Sequence, residues 1–514
     1  MLFSQVLRCL PAAGFSLNLS GADSASVEIL GITHSTEDVR PGWLFIAVPG
    51  RKTDGHAFIG KAIELGAVAV LGELGAAALS LPPHIAYAQT VNARKALGLL
   101  ASELNGRPSE FMGVIGVTGT DGKTTTTNLI AAIFDAAGFT TGFTTTIDWK
   151  IGDKRFENNT RFTNLEAPEL QSLMAQMRDS GVQYAIIEST SSGLELERLA
   201  GIQYDTAVVT NITSEHIEVH GSKEQYWRAK AMLFERTDAS LAEKSLPFGN
   251  IPRACALNAD DSSYAFLSRY CRAPIISYGV DNPGAHINAK NVTLRSDGSE
   301  FDVVFPNGQT AHIRSALMAR FNVSNILAAI AVSYSHHIPP EAIERAIAAY
   351  PGTSGRMETI REGQDFTVIV DYAHTAESLR LVLATLRPLT KGKLIAVFGS
   401  AGDRDHTKRP EMGEVAAEYA DFFVITDEDP RTEDAAAILR EIAAGSESAG
   451  AVEGRDFIMQ VGRKEGIAYA FDVARAGDVV VLCGKGHEQS IIIGTEKLPW
   501  DDRVVARELL QNRR

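Results

Sequence analysis

The sequence GVIGVTGTDGKTTTTNL, residues 113 to 129, joins an apolar run to a loop of glycines and hydroxyl side chains and then to a helix-forming stretch. This order predicts a strand, a phosphate-binding loop and a helix of a parallel sheet that binds a nucleotide. The spacing of a strict Walker A motif is absent, because five residues separate Gly116 from Gly122 and only two separate Gly119 from it. The loop therefore has to be judged by its residue types.

The residue types of this loop suit a nucleoside triphosphate. Gly119 and Gly122 allow backbone amides to close around an anion. Lys123 can neutralise charge on the β- and γ-phosphates, and Thr124 can bind Mg²⁺ at the start of the helix. The alternative is a glycine-rich turn that binds nothing. Asp121 is unexpected in a phosphate-binding loop, because an acid repels a polyphosphate.

Composition and charge exclude several classes of protein. The chain has 514 residues, 45% hydrophobic and 22% charged, as expected for a globular protein of several domains. Its formal net charge of −14 disfavours a nucleic-acid partner. The four cysteines form no metal or redox pattern and the N-terminus makes a poor signal peptide, which predicts a cytoplasmic protein. No apolar run approaches the ~18 residues of a membrane span, so we expect no membrane insertion.

Two breaks in composition divide the chain into three segments, residues 1 to 109, 110 to 352 and 353 to 514. The breaks are the turn-forming stretches NGRPS, which ends at residue 109, and PGTSG, which begins at residue 351. In the later segments short apolar runs alternate with stretches of helical period, which predicts α/β domains with parallel sheets. Ligands of such sheets bind at the carboxyl ends of the strands, so the polar residues after each run are the candidates for function.

Acids and histidines follow two apolar runs of the middle segment. Glu188 ends the run in AIIESTSSG, and His216 follows the run in AVVTNITSEH. With Thr124 they could complete a Mg²⁺ site, because this ion prefers oxygen ligands and accepts an imidazole. The alternative is that either residue caps a helix or bonds to a loop. For Lys230, in YWRAKAMLF, spacing alone favours a lysine that extends along an amphipathic helix into water.

Charged residues follow four successive apolar runs of the last segment. They lie in the stretches DYAH (371 to 374), GDRDHTKR (402 to 409), DEDPR (427 to 431) and GKGHE (484 to 488). Arginines beside acids at one sheet edge could hold a zwitterion, with a guanidinium on its carboxylate and Glu488 on its ammonium group. The alternative is a set of solvated ion pairs on the surface.

Motifs along nearly the whole chain resemble those of the Mur ligase family, within it the branch that adds the third residue of the peptidoglycan stem peptide. In chain order they include PGWLF, DGH, GTDGKTTT, TNIT, LNADD, FNVSN, GRME, DYAHT, GDRD, EDPR and GKGHE. The resemblance implies an α/β fold of three domains: one for a UDP-sugar, a central P-loop-type ATPase, and a Rossmann-like C-terminal domain for the amino acid. It also implies an amide bond formed through an acyl phosphate, and we expect a monomer.

The resemblance implies a set of residues for ATP and Mg²⁺. The nucleotide would be held by Gly119, Thr120, Asp121, Gly122, Lys123, Thr124, Thr125, Asn322, Asn325, Arg356 and Asp371. Thr124 and Glu188 would bind one Mg²⁺ and His216 a second, with Lys230 as a carbamate that supports the metal site. The position of Asp121 is commonly Asn in the family, so we expect its side chain to accept backbone N–H bonds within the loop.

The resemblance implies substrate positions in the same way. The UDP-N-acetylmuramoyl-dipeptide would be bound by Ser35, Arg51, Lys52, Thr53, Thr163, Asn164, Thr190, Leu196 and Arg198. The incoming amino acid would be bound by Arg404, Glu428, Asp429, Pro430, Arg431, Gly484 and Glu488. Arg431 indicates meso-diaminopimelate, because a guanidinium can bind the distal carboxylate that lysine and ornithine lack.

Several positions depart from the family pattern. His34-Ser35-Thr36 stands where Asp-Ser-Arg is usual, Thr163-Asn164-Leu165 where Thr-Thr-Pro is usual, and Ser192 where His is usual. Asp429 replaces an Asn, and the added acid could favour an extra ammonium group. Besides a ligase for diaminopimelate, two functions therefore stay open. One is a Mur-fold ligase that joins lysine, ornithine or another amine to the same or a different carboxylate, and the other is a nucleotide-binding regulator or transport ATPase that does not ligate.

Overall fold

The computed structural model describes residues 1 to 513 except 24, 51–52, 161, 213–221, 238–242 and 296. The chain forms two compact units. The first comprises Met1–Asn288, Val304–Gln309 and Ser324–Ala346, and the second comprises Ala289–Val303, Thr310–Val323 and Ile347–Arg514. Across the described ranges, every helix is too short or too polar to traverse a lipid bilayer.

A five-stranded sheet opens the first unit, with its strands in the order β1-β5-β4-β3-β2. The strands are β1 (Asn18–Gly21), β2 (Gly31–Thr33), β3 (Trp43–Ile46), β4 (Ala67–Gly72) and β5 (Ala86–Gln89). The accompanying helices are α1 (Phe3–Val6), α2 (Cys9–Ala12), α3 (Ile59–Glu64) and α4 (Ala93–Leu104). Strands β2 to β5 pair in parallel, and β1 is antiparallel to β5. Leu97 and Leu100 of α4 share one apolar core with Leu44 and Leu71 of the sheet.

In the second sheet of this unit, the apolar run of residues 113 to 118 forms an inner strand. Its strands follow the order β15-β14-β11-β6-β10-β7-β8-β9, parallel as far as β7 and antiparallel beyond it. They are β6 (Gly113–Thr118), β7 (Thr141–Thr144), β8 (Asp148–Ile151), β9 (Lys154–Glu157), β10 (Tyr184–Glu188), β11 (Thr206–Val209), β14 (Ala254–Asn258) and β15 (Ile275–Gly279). Strands β12 (Lys244–Leu246) and β13 (Gly249–Ile251) form a separate hairpin.

Helices cover this sheet and bury β6 on both faces. They are α5 (Lys123–Ala136), α6 (Ala167–Asp179), α7 (Ser191–Glu195), α8 (Lys223–Glu235), α9 (Tyr264–Leu267), α10 (Arg320–Ser335) and α11 (Pro340–Ala349). Every residue of β6 is buried, as expected for a parallel strand covered on both sides. Because β10 and β11 flank β6, the loop after β6 lies between Glu188 and Thr210.

The second unit is built on a six-stranded sheet in the order β19-β20-β24-β21-β22-β23. Its strands are β19 (Glu358–Ile360), β20 (Thr367–Asp371), β21 (Leu394–Phe398), β22 (Phe422–Thr426), β23 (Phe457–Gln460) and β24 (Val479–Cys483). All are parallel except β19. Other strands are β16 (Ile287–Arg295), β17 (Gly298–Val304) and β18 (Thr310–Ser315), side by side, and the hairpin of β25 (Ser490–Ile493) and β26 (Glu496–Pro499).

Helices on both faces of this sheet complete the unit. They are α12 (Ala376–Leu386), α13 (Lys408–Tyr419), α14 (Ala435–Ser448), α15 (Arg463–Val473) and α16 (Asp502–Gln511). Two separate apolar cores, one with α12, α13 and α14 and the other with α15 and α16, lie against the strands. The predicted alternation of strands and helices is confirmed, and β23 is a strand that the sequence analysis did not identify. The four predicted polar stretches follow β20, β21, β22 and β24, so they lie along one sheet edge.

Candidate active site

The loop between β6 and α5 leaves room only for glycine at two positions. Both Gly119 and Gly122 have positive φ, at 147° and 78°. A Cβ atom on Gly119 would lie 1.8 Å from Thr210 Oγ1, and one on Gly122 would lie 2.1 Å from Asn325 Oδ1. The close approach exposes successive backbone amides at the start of α5, which is the arrangement that binds phosphate.

Thr210 and Asn211, just after β11, hold this loop in place. The Thr120 amide donates to the Asn211 carbonyl (2.8 Å), and the Asp121 amide donates to Asn211 Oδ1 (3.1 Å). The Thr210 hydroxyl donates to the Asp121 carbonyl (2.5 Å). The Asp121 carboxylate is exposed and accepts no hydrogen bond from any described residue. The expectation that it accepts N–H bonds within the loop is therefore wrong, because Asn211 supplies that acceptor.

Two lysines donate to carbonyl groups of the loop. Lys123 Nζ lies 2.7 Å from the Thr120 carbonyl, and Lys230 Nζ lies 2.7 Å from the Gly119 carbonyl. Lys230 is only 1% exposed and sits 4.4 Å from the ring centroid of Tyr226. The alternative of a lysine extending into water is wrong, because its amine points inward at the loop. The carbamate on this residue stays a prediction.

Thr124 and Glu188 meet at the predicted metal site. Thr124 Oγ1 donates to Glu188 Oε2 (2.9 Å), and Thr146 donates to the same carboxylate through its amide and its hydroxyl (3.1 Å each). Glu188 is 1% exposed, and Thr190 rather than Glu188 caps the helix that follows. Carboxylate and hydroxyl oxygens are the ligands that Mg²⁺ prefers, so these two residues fit the ion. His216, predicted for a second ion, lies outside the described residues.

Asn164 forms hydrogen bonds with the backbone on both sides of Ser189, next to Glu188. Its Nδ2 donates to the Glu188 carbonyl (2.6 Å), and its Oδ1 accepts from the amide (3.0 Å) and hydroxyl (2.7 Å) of Thr190. The neighbouring Thr163 hydroxyl lies 2.8 Å from that of Thr146, which is itself bonded to Glu188. An amide can donate and accept at once, as this position requires. The departure from Thr to Asn thus has a structural role beside the metal site.

Arg198 lies in a cluster of charged residues around Glu166. Its Nη2 is 2.7 Å from Glu166 Oε1, and its guanidinium lies 4.6 Å from the ring centroid of Phe162. Arg94 and His34 approach the same carboxylate at 3.8 and 3.9 Å. Burial lowers the pKa of His34 although Glu166 opposes that shift. Two guanidinium groups thus share one carboxylate, which leaves positive charge for an anionic ligand.

Other residues predicted for the ligands make local contacts. The pairs are Ser35 Oγ with the Glu37 amide (3.2 Å), the Thr53 carbonyl with the Gly50 amide (3.1 Å) and Asn322 Nδ2 with the Met318 carbonyl (2.9 Å). Thr125 is buried in the first turn of α5, and Leu196 is half-buried at the end of α7. Arg51 and Lys52 lie outside the described residues.

In the second unit, Asp371 and Arg356 lie together at the end of β20. Asp371 accepts from the amides of Met357 (2.8 Å) and Ala373 (2.9 Å). The Arg356 guanidinium lies 4.6 Å from the ring centroid of Tyr372, and burial raises the pKa of that tyrosine to about 12. The bond from Met357 to Asp371 therefore keeps Arg356 beside the strand end.

Glu428 is a buried acid at the end of β22. It is 7% exposed, and its Oε2 has no hydrogen-bond partner among the described residues. A Cβ atom on Gly484 would lie 3.1 Å from this oxygen. Burial raises the pKa of Glu428 to about 7, although Lys408 and Lys485 oppose the shift. A buried carboxylate oxygen without a donor suits an ammonium group from a ligand.

Asp429, the next residue, is already paired. Lys485 Nζ lies 2.8 Å from Asp429 Oδ1 and 2.7 Å from Glu488 Oε2. The Ile492 amide donates to the same Asp429 oxygen (2.9 Å). Lys485 is completely buried, so the alternative of solvated surface ion pairs is wrong for this group. Glu488, predicted to hold an ammonium group, is half-exposed and shares the charge of Lys485.

Arg431 has a strained backbone and an unpaired side-chain donor. Its φ is 53°. Two hydrogen bonds fix its backbone: the Arg431 amide donates to the Ile492 carbonyl (3.0 Å), and the Arg431 carbonyl accepts from the Gly494 amide (2.8 Å). Its Nε is buried and without a partner in the described part of the chain. Arg404 is exposed, and Pro430 is buried. An unpaired guanidinium donor near Glu428 is suited to a carboxylate.

Sequence reasoning did not identify several residues of these sites, including Thr146 and Glu166. Thr210 and Lys485 lie inside the motifs TNIT and GKGHE, yet their roles depend on partners far away in the chain, Asp121 and Asp429. Tyr372 belongs to DYAH and stacks on Arg356. The motifs GKGHE and DYAH were the available signal for Lys485 and Tyr372, because they place these residues next to Gly484 and Asp371, which were assigned.

Comparison with known proteins agrees with this geometry. Three family models match the chain: Mur ligase family, catalytic domain, over residues 28–103; Mur ligase middle domain over 117–333; and Mur ligase, glutamate ligase domain, over 355–486. A UDP-N-acetylmuramyl-tripeptide synthetase of Roseiflexus sp. (strain RS-1) is 44% identical over 490 residues, 94% of each chain. A UDP-N-acetylmuramoyl-L-alanyl-D-glutamate--2,6-diaminopimelate ligase of Syntrophomonas wolfei is 40% identical over 486 residues, 95% of each chain.

A solved structure gives the same result for the fold. A UDP-N-acetylmuramoyl-L-alanyl-D-glutamate--2,6-diaminopimelate ligase superposes with a TM-score of 0.70 at 28% identity, and the match covers 96% of both chains. The predicted fold class, an α/β Mur ligase architecture of three domains, is therefore confirmed. By its sequence and its fold, the chain belongs to the Mur ligase family.

Proposed function

We propose that this chain is an ATP-dependent, ADP-forming ligase that joins meso-diaminopimelate to UDP-N-acetylmuramoyl-L-alanyl-D-glutamate in peptidoglycan precursor synthesis. The name of the Syntrophomonas relative describes the same acceptor and amine. In this reaction ATP converts an acceptor carboxylate into an acyl phosphate, and the amine then displaces phosphate. The carboxylate is a poor acyl donor until it is phosphorylated, so charge on the transferring oxygens must be neutralised.

The loop of the first unit supplies the nucleotide site in this proposal. The amides of Gly122, Lys123 and Thr124 at the start of α5 would hold the phosphates, and Lys123 would bring its charge to them. Thr124 and Glu188 would hold Mg²⁺, which neutralises phosphate charge when bound. Their hydrogen bond of 2.9 Å supports this assignment, because it already places two oxygen ligands side by side. Lys230 as a carbamate and His216 complete the proposed metal site.

The acceptor would be bound by residues of segments 1 to 109 and 110 to 352. The two guanidiniums around Glu166 offer positive charge to a carboxylate of the dipeptide. Thr163, Thr190 and Asn164 lie beside Glu188, which places their polar groups next to the proposed metal site. Segment 353 to 514 would bind the amino acid. These three boundaries are part of the proposal.

The choice of amine rests on the contrast between Glu428 and Asp429. The Oδ1 atom of the added acid, Asp429, is already bonded to Lys485 and to the Ile492 amide, which makes this residue a poor site for an extra ammonium group. Glu428 keeps an unpaired oxygen for one ammonium group, and Arg431 keeps an unpaired donor for a distal carboxylate. Diaminopimelate carries both groups, whereas lysine and ornithine lack the carboxylate. The unpaired buried Nε of Arg431 is the observation that carries this choice, because only diaminopimelate offers it a distal carboxylate.

A competition experiment tests the proposal. The enzyme is incubated with ATP, Mg²⁺, the UDP-dipeptide and an equal mixture of diaminopimelate, lysine and ornithine, and the product is identified by mass. We expect the diaminopimelate product and one ADP for each amide formed. A lysine or ornithine product would refute the choice of amine and leave the ligase assignment intact. No phosphate release with any amine would refute the acceptor as well.

One observation favours a second candidate, a Mur-fold ligase for another carboxylate. His34 replaces a usual Asp and contacts Glu166 beside the acceptor residues, so the acceptor site differs from the family pattern. A panel of UDP-linked and free carboxylates, assayed for phosphate release, separates the two. A regulator without ligase activity would bind ATP and release no phosphate with any member of the panel. We further propose that the enzyme acts as a cytoplasmic monomer, without nucleic acid or membrane insertion.

A further inference from the structure

Tyr278 lies on β15 and reaches past β14 to the end of β11. Its side chain is completely buried. Its hydroxyl lies 2.7 Å from the Val209 carbonyl and 3.1 Å from the Thr210 carbonyl. A buried hydroxyl shared between two backbone acceptors fixes the direction in which the strand leaves the sheet.

Asn258, at the end of β14, bonds to the same end of β11. Its Nδ2 donates to the Thr210 carbonyl (2.7 Å) and lies 3.4 Å from the Ser324 hydroxyl. That hydroxyl also bonds to the side chain of Tyr278. The Thr210 carbonyl therefore has two side-chain donors from two other strands. This network connects β14, β15 and α10 to one peptide group.

The peptide group whose carbonyl accepts these two bonds lies directly beside the nucleotide loop. It joins Thr210 to Asn211, whose carbonyl and side chain accept the amides of Thr120 and Asp121. The Thr210 hydroxyl donates to the Asp121 carbonyl on the other side of the loop. A rotation of this peptide group would move all three contacts together. The amides of Gly122 and Lys123, which follow these contacts in the chain, would then turn away from the position of the phosphates.

We infer that Tyr278 and Asn258 are positioning residues for ATP, which act on the nucleotide loop through the peptide group between Thr210 and Asn211. This inference rests on the proposed function for its nucleotide, and it adds two residues that contact neither phosphate nor metal. They set the affinity for ATP rather than the chemical step, because they orient loop amides that bind the nucleotide before and after phosphoryl transfer alike.

Binding of ATP by Tyr278→Phe tests the inference. Calorimetry gives the Kd for ATP with Mg²⁺, and steady-state assays give KM and kcat. We expect the Kd and KM for ATP to rise about fivefold to tenfold, with kcat changed less than about twofold. The matched control is Tyr87→Phe, which also removes a buried hydroxyl bonded to a carbonyl, that of Leu74, but in the five-stranded sheet. An ATP Kd within about twofold of wild type in Tyr278→Phe overturns the inference.

A double substitution separates positioning from general loss of structure. Asn211→Ala removes one of the three contacts that depend on this peptide group, so the double variant with Tyr278→Phe should lose less ATP affinity than the product of the two single losses. Independent, multiplied losses would overturn the proposed route through Asn211. If Tyr278→Phe melts below the assay temperature, Asn258→Ala is measured in its place with the same expected result. Lack of ATP binding by the wild-type chain would refute the proposed function itself, whichever result the variants give.

Discussion

Glu428 and Asp429 are adjacent acids with opposite environments. Glu428 is buried at the end of β22, and burial raises its pKa to about 7 from an ordinary value of 4.5, although Lys408 and Lys485 oppose the shift. Asp429 is instead bonded to Lys485 and to the Ile492 amide. One residue is thus available to a ligand and the other serves the loop. This difference decides which ammonium groups the site can accept.

Substitution of Glu428 should show both a functional and a stability effect. The folded protein holds a proton on Glu428 that the unfolded chain releases above pH 4.5, so its stability falls as pH rises from about 4.5 to about 7. Glu428→Gln should remove this slope and add roughly 3 kcal/mol of stability above pH 7, which thermal melts across pH 5 to 8 would measure. In the wild type, kcat/KM for the amine should rise through about pH 7 as Glu428 ionises, and Glu428→Gln should lose this rise.

The exposed Glu453→Gln serves as the control for charge alone, since it lies away from the strand ends. Its pH profile and melting temperature should match wild type. A wild-type pH profile in Glu428→Gln would contradict the role of this residue in binding the amine.

Asp121 is the second residue whose environment decides its effect. Its carboxylate is exposed, and no described residue donates to it, so its removal breaks no contact in the loop. Asp121→Asn should leave the KM for ATP unchanged or lower it by up to about fivefold, because a negative charge near the polyphosphate is lost. The difference should shrink at high salt. A loss of activity above about tenfold, or ~1.4 kcal/mol, would show that the acid has a direct role.

At the scale of elements, the proposed amine site depends on the contact between two strand-end loops and a hairpin. The loop after β22 carries Arg431, whose amide and carbonyl bond to the hairpin of β25 and β26. The loop after β24 carries Lys485, which is buried between Asp429 and Glu488. The cation thus holds the two loops together and cancels the acid that departs from the family pattern.

Removal of that cation should change the selectivity for the amine. In Lys485→Gln the carboxylates of Asp429 and Glu488 lose their common partner, so an extra ammonium group becomes favourable near Arg431. We expect kcat/KM for diaminopimelate to fall at least about tenfold and the ratio of lysine to diaminopimelate use to rise. Adding Asp429→Asn to Lys485→Gln should restore part of the original ratio. An unchanged ratio in Lys485→Gln would contradict the assignment.

At the scale of the whole molecule, a buried ion pair in the second unit connects two helices to the ends of two strands. Arg463 and Asp502 are both completely buried, with Arg463 Nε 2.7 Å from Asp502 Oδ1. Arg463 also donates to the carbonyls of Asp427 (3.0 Å) and Cys483 (2.9 Å), the residues just before the two amine-binding loops. One guanidinium therefore joins α15, α16 and the ends of β22 and β24.

Asp502→Asn should destabilise this unit strongly. The substitution leaves the buried guanidinium without a counter-charge, which costs about 3–5 kcal/mol. Denaturant unfolding measures the loss, and hydrogen exchange should place it in residues 353 to 513. The control is Asp472→Asn, which breaks an exposed pair with Arg513 and should cost less than about 1 kcal/mol, since Asp472 is 74% exposed. Equal losses in the two variants would contradict a central role for the buried pair.

The order of strands and helices, the nucleotide loop and the family could all be predicted from the sequence. Buried parallel strands are continuous apolar runs such as 113–118 and 479–483, and their polar ends carry the motifs that mark the family. These features are local, because the period of a strand and the need for glycine in a tight loop are expressed within a few neighbouring residues. Most predicted site residues could therefore be assigned to strand ends before the packing of the chain was known.

The partners of the side chains were decided only by the tertiary structure. Asp121 was predicted to shape its own loop, whereas Asn211, 90 residues away, does so. Asp429 could have attracted a second ammonium group, but Lys485, 56 residues away, neutralises it. Lys230 could have extended into water on an amphipathic helix, but it points at the Gly119 carbonyl. Sequence spacing fixes where a residue lies on its own strand or helix, whereas the charge and direction of its side chain depend on distant groups that packing brings within hydrogen-bond distance.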